Sequence, residues 1–147
     1  MKVFKSITIY IISLLYFIVG IKHFIDTEFF IAIVPAYIDF KKEVVLISGL
    51  LEVMLAILLL FHQTRKFAAW GIISLLIAVF PANIYLYISE NPREILDISK
   101  NQALLRIPLQ IPLIIIAYWH SKKLHSKRFS IFCIGLFIPT IIYFITL

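Results

Sequence analysis

The sequence predicts an all-α protein, an integral membrane bundle of helices, and three observations carry that prediction. Of 147 residues, 62% are hydrophobic and 15% charged, and the mean hydropathy is +1.00. The apolar residues come in long blocks, more than a water-soluble domain of this size could hide. The bilayer must then be the solvent for most of the chain. Lipid offers no hydrogen bonds, so each crossing block must be a helix that satisfies its own backbone.

Five blocks are legible: about 4–21, 44–61, 67–88, 103–119 and 129–147. The first follows Lys2 and Lys5, like the start of a signal peptide. It is longer than a signal core and no small-x-small site follows it, so a retained first helix is expected. The connection 22–43, KHFIDTEFFIAIVPAYIDFKKE, is too polar to span and too apolar to float free. It predicts a short interfacial helix or re-entrant lid over 29–34, capped by Asp26 or Thr27 and ended by Pro35. The second block carries Glu52 as its only charge, and the link 62–66 is short and hydrophilic. The third block carries Pro81 and Asn83 near its end. A weaker version of the lid design follows around 92–98 in the connection 89–102.

The fourth block carries Arg106, Pro108, Gln110 and Pro112, and the link 120–128 is again hydrophilic. The fifth block, with Pro139, is read as a probable fifth transmembrane helix beyond a four-helix domain at 1–128. A tail lying along the inner surface is the open alternative. Each in-helix proline removes a backbone donor and frees a carbonyl one turn earlier. Kinks are therefore expected near Asn83, Arg106 and Gln110. No internal repeat or low-complexity linker is present.

Charge sets the topology. Lys2, Lys5, Arg65, Lys66, Lys122, Lys123, Lys127 and Arg128 fall on one side with no acid. The other side has Lys22, Lys41, Lys42, Arg93 and Lys100 against seven acids: Asp26, Glu28, Asp39, Glu43, Glu90, Glu94 and Asp97. The positive-inside rule makes this a multi-pass protein of the cell inner membrane with a cytoplasmic N-terminus. The net charge of +6 is then a topology signal, and nucleic acid is excluded as a partner. Cys133 is the single cysteine, so neither an internal disulfide nor a dithiol pair exists. The four histidines (23, 62, 120, 125) divide between the two faces, which argues against a metal site. No nucleophile motif, Walker loop or nucleotide fingerprint occurs. Trp70, Tyr85, Tyr87, Tyr118 and Trp119 fit an interfacial aromatic belt.

The polar residues inside the blocks converge in depth. At about 1.5 Å per residue, Glu52 lies about 12 Å from the outer end of its helix, Gln110 about 10 Å, Asn83 about 8–9 Å and Arg106 about 5 Å. His23 stands at the outer end of the first helix. A carboxylate at such a depth costs roughly 2.5–3.5 kcal/mol and should face a partner or a cavity. Helical phase puts Ser48, Glu52 and Ala56 on one face and Arg106, Gln110 and Leu113 on another. Ser13, Tyr16, Gly20 and His23 form a small and polar stripe suited to helix contact. A Glu52–Arg106 pair is predicted, with Asn83 and Gln110 completing its hydrogen bonds and the lid roofing it. Three readings stay open: a structural clamp, a pocket for a small molecule with a carbonyl, phenol or acid group, and proton handling by Glu52.

These residues also carry a family resemblance. Gly20, His23 and Phe24, Ser48-Gly49-x-x-Glu52, Phe80-Pro81-Ala82-Asn83-Ile84 and Arg106-x-Pro108-x-Gln110 together resemble the DoxX family of small bacterial membrane proteins, over about residues 10–120. The resemblance implies a four-helix bundle with both termini cytoplasmic, from which the block 129–147 departs. Some relatives are membrane subunits of a thiosulfate:quinone oxidoreductase, and more distant ones assist disulfide formation or receptor assembly. The expectation is a DoxX-like protein that is not an enzyme on its own. Its polar pocket, with His23, Glu52, Asn83, Arg106 and Gln110 as binding residues, would take a lipid- or quinone-like molecule or a partner helix. The alternative is a membrane subunit of a quinone-linked sulfur or thiol oxidoreductase, with quinone as cofactor and a partner subunit sharing the chemistry. A proton-coupled carrier is disfavoured, because so small a bundle has no second gate or inverted repeat.

Overall fold

A computed structural model describes residues 2–123 and 126–145. His125 and the last two residues of the fifth block lie outside the described residues. Among those described there are seven α-helices and no strand. They are α1 (Lys2–Ile25), α2 (Thr27–Ala32), α3 (Lys41–Leu60), α4 (Arg65–Ile88), α5 (Glu90–Ile95), α6 (Lys100–Ser121) and α7 (Lys127–Ile145). Five of them, α1, α3, α4, α6 and α7, are long and apolar enough to cross a membrane. This is a membrane protein with an all-α bundle fold.

The long helices form a ring in which α1 packs on α3, α3 on α4, α4 on α6, α6 on α7, and α7 returns to α1. The fifth block is thus a member of the bundle: Phe137 and Ile141 of α7 sit in its core. In lipid the helices gain nothing from hiding apolar surface, so close contact must hold them. Small residues permit it. A Cβ on Gly20 would stand 2.8 Å from the Gly49 carbonyl oxygen, and one on Gly71 would stand 2.4 Å from Leu55 Cδ2. Ser13 adds a hydrogen bond from its hydroxyl to the Ala56 carbonyl.

Helix ends are satisfied by specific side chains. Arg65 donates from Nε to the Leu59 carbonyl (3.0 Å) and from Nη2 to the Leu60 carbonyl (3.0 Å), while the Thr64 hydroxyl donates to the Leu58 carbonyl (2.7 Å). These close the C-terminus of α3, whose last carbonyls have no partner within the helix. Arg93 does the same for α4 at the carbonyls of Leu86 and Tyr87. Ser99 and Gln102 form a capping box at the start of α6, Gln102 N–H to Ser99 Oγ at 3.2 Å and Ser99 N–H to Gln102 Oε1 at 2.9 Å. After α5 the chain turns at Asp97, which holds φ 51°, and Ile98 N–H reaches back to the Arg93 carbonyl at 2.9 Å.

Two expectations need correction. The lid helix spans Thr27–Ala32 rather than 29–34, and neither proposed cap acts as one. Asp26 occupies the cap position without a side-chain bond, and the Thr27 hydroxyl instead donates backward to the His23 carbonyl at 2.8 Å. Trp119 is not part of a lipid-facing belt: it is 1% exposed, with Lys5 Nζ 5.4 Å from its ring centroid. The other end of the bundle, where α2 and α5 lie, is built differently. The half toward the basic links is filled by Ile9, Ile12, Leu59, Ala68, Ala69, Ile72 and Ile116, whereas the lid half is hollow.

Candidate functional site

The hollow is a cavity of about 440 Å³ with walls from α1, α2, α3, α4, α6 and α7. His23, Glu52, Asn83, Arg106 and Gln110 all line it. The lid contributes Phe29, Phe30 and Ile33, and the segment after it contributes Val34, Pro35, Tyr37 and Ile38. The lining is thus apolar over most of its area, with a few polar groups converging from separate helices, the usual composition of a small-molecule site.

Glu52 is brought in by α3 at the closest approach of α1. Gly20 and Gly49 let the two backbones meet there, and a Cβ on Gly20 would stand 3.0 Å from Glu52 Cβ. The carboxylate is nine-tenths buried, and its Oε2 lies 3.4 Å from His23 Nδ1. That nitrogen also faces the Val19 carbonyl at 2.9 Å. A carbonyl only accepts, so Nδ1 carries a proton. The His23 ring stacks on Phe30 of the lid, centroids 3.7 Å apart at 21°. His23 therefore joins three parts: its own helix, the carboxylate and the roof.

The predicted Glu52–Arg106 pair does not form. Arg106 shares the cavity, but its guanidinium is set beside Tyr143 on α7, whose hydroxyl donates to the Gln102 carbonyl at 3.0 Å. Nor do Asn83 and Gln110 complete hydrogen bonds to Glu52. Asn83 Nδ2 donates to Gln110 Oε1 at 3.3 Å, and Gln110 Nε2 donates to the Leu76 carbonyl. That carbonyl lies in the turn of α4 interrupted by Pro81, which cannot donate to the Ile77 carbonyl. The amides thus serve each other and a carbonyl next to the one that Pro81 leaves free. The cation and the carboxylate stand on separate walls, each with its own neighbour.

Sequence reasoning missed the contribution of α7. Tyr143 holds Arg106, and Phe144 lines the cavity. A signal existed: α7 runs from the basic links toward the lid, so its last turn falls at the height of the polar residues. Tyr16 is buried in the wall beside them, as its place in the α1 stripe allows.

Some residues both line the cavity and are exposed at the surface. Lys22 and Tyr37 do so beneath the lid. Ala78 and Pro81 do so on α4, about 10–15 Å from the lid end of a helix long enough to cross the membrane. Among the described residues, no group of three or more His, Cys, Asp or Glu side chains could hold a metal ion. Cys133 is buried in the bundle.

A family model described as a domain of unknown function, DUF8561, matches residues 12–121. The match runs from the middle of α1 to the end of α6, and α7 lies beyond it. No curated protein and no solved structure matches the chain.

Proposed function

Because the chain belongs to the DUF8561 family, whose description assigns no activity, its own cavity must supply the reading. We propose that this protein binds a lipid- or quinone-like amphiphile, with the oxygenated head among Glu52, Asn83, Arg106 and Gln110. The exposure of Ala78 and Pro81, which also line the cavity, carries this reading, as a lateral mouth on α4. A mouth on the side of a spanning helix faces hydrocarbon, so a ligand that already lives in the bilayer can enter without crossing water. The apolar lid residues Phe29, Phe30 and Ile33 then cover the polar head from the other side. The DoxX resemblance supports the same site, since its marker residues His23, Glu52, Asn83, Arg106 and Gln110 line one cavity. The charge asymmetry supports a cell inner membrane location with the N-terminus in the cytoplasm and the lid outside.

Native mass spectrometry tests the proposal on protein released in mild detergent. One bound amphiphile per chain is expected, and Ala78→Trp, which plugs the lateral mouth, should remove it. A chain that carries no adduct and takes up neither membrane lipid nor quinone would reduce the site to a set of helix contacts.

A further inference from the structure

The cavity contains two buried polar atoms without a hydrogen bond to any described residue, Glu52 Oε2 and Arg106 Nε. They are opposite in kind: a carboxylate oxygen accepts and a guanidinium N–H donates. Leaving either unsatisfied in a low-dielectric wall is costly, and more so for charged groups. The protein could have joined them to each other and does not. Glu52 is held beside His23 across the glycine contact, and Arg106 is held by Tyr143 on α7. Asn83 and Gln110 do not bridge the gap: Asn83 donates to Gln110, and Gln110 donates to the Leu76 carbonyl. What is left is a cationic and an anionic side chain lining one apolar space from separate walls, with no bond between them.

Resting on the amphiphile reading above, we propose that the ligand is an aminophospholipid with a phosphoethanolamine head. Its phosphate accepts from the Arg106 guanidinium and its primary ammonium donates to the Glu52 carboxylate. A fatty acid or other purely anionic head would satisfy Arg106 but turn a second acceptor toward Glu52. A quinone offers two acceptors and no donor. A choline head has the positive charge but no N–H, so the carboxylate would gain no hydrogen bond from it. Size agrees: about 440 Å³ is within the range of pockets for drug-sized molecules, room for a head group but not for two acyl chains. The opening at Ala78 and Pro81 lets the chains run out into the bilayer.

The test is a head-group series on the wild-type protein in detergent. Dioleoyl phosphatidylethanolamine, phosphatidylcholine and phosphatidylglycerol and a quinone are added in turn, and occupancy is read by native mass spectrometry. Phosphatidylethanolamine should exceed each of the others by about tenfold, the scale of one hydrogen bond to a charged group. Glu52→Gln should bring phosphatidylethanolamine level with phosphatidylcholine, while Arg106→Gln should weaken both. Equal or tighter binding of phosphatidylcholine, phosphatidylglycerol or quinone to the wild type overturns the head-group assignment and leaves the amphiphile reading standing. Uptake of none of the four overturns both. Should a variant fail to fold, the wild-type series decides alone.

Discussion

Gly49 of α3 lies directly against His23 of α1: a Cβ at position 49 would stand 2.5 Å from the His23 Cβ and 3.0 Å from its Cγ. The contact is therefore between a backbone and the stem of the side chain that faces Glu52. Gly49→Ala cannot be absorbed by rotating a flexible end, so α1 and α3 must separate. Overpacking of this kind costs about 1–3 kcal/mol, and here it also pulls His23 from the carboxylate. Thermal unfolding in detergent should show the loss. Gly135→Ala is the control, because nothing stands within 4 Å of a Cβ there. Equal behaviour of the two variants would show that the close approach has no energetic weight.

Glu52 and His23 should be coupled, whereas Glu52 and Arg106 should not. The first two face each other at 3.4 Å, while the second two occupy separate walls with separate partners. Two double-mutant cycles of unfolding free energy on protein stripped of bound amphiphile, each containing Glu52→Gln, decide this. Coupling of about 0.5–3 kcal/mol is expected with His23→Ala, and additivity within about 0.5 kcal/mol with Arg106→Gln. Strong coupling in the second cycle would restore the pair that the positions of these side chains exclude.

Why the layer of polar residues was legible and the pairing within it was not follows from what a helical sequence encodes. Residue spacing along a crossing helix gives height, so Glu52, Asn83, Arg106, Gln110 and His23 could be assigned to one layer. Lipid makes such residues costly, which is why they stand out at all. Height does not say which neighbour a side chain faces around the ring. Arg106 turns to α7 because Tyr143 arrives there, and that depends on how the fifth helix packs on α6 and α1. The helices themselves were plain from the apolar blocks. The lid helix was visible, but its start was misjudged because Thr27 bonds backward to His23 and does not cap forward.

Tyr143 should matter through Arg106. Its hydroxyl stands beside the guanidinium and donates to the Gln102 carbonyl, so Tyr143→Phe removes that hydrogen bond and the dipole next to the charge and keeps the ring. A loss of about 0.5–1.5 kcal/mol is expected, the scale of one hydrogen bond. The same change made in an Arg106→Gln background should cost less. If Tyr143→Phe is silent in both backgrounds, α7 contributes only apolar packing to the site.

The proposed orientation predicts which ends of the bundle chemical labels can reach. Lys5, Arg65, Lys66, Lys122, Lys123, Lys127 and Arg128 share one end with no acid, and keeping them on the cytoplasmic side is what biases insertion. Cys133 is fully buried and can be replaced by serine to give a background without cysteine. In that background Glu28→Cys, exposed on the lid, should react with an impermeant maleimide in intact cells. Lys123→Cys, exposed at the basic end, should react only after permeabilisation. The reverse pattern would put the lid and its cavity on the cytoplasmic side. Equal labelling at both positions in intact cells would show that the two ends are not separated by a membrane.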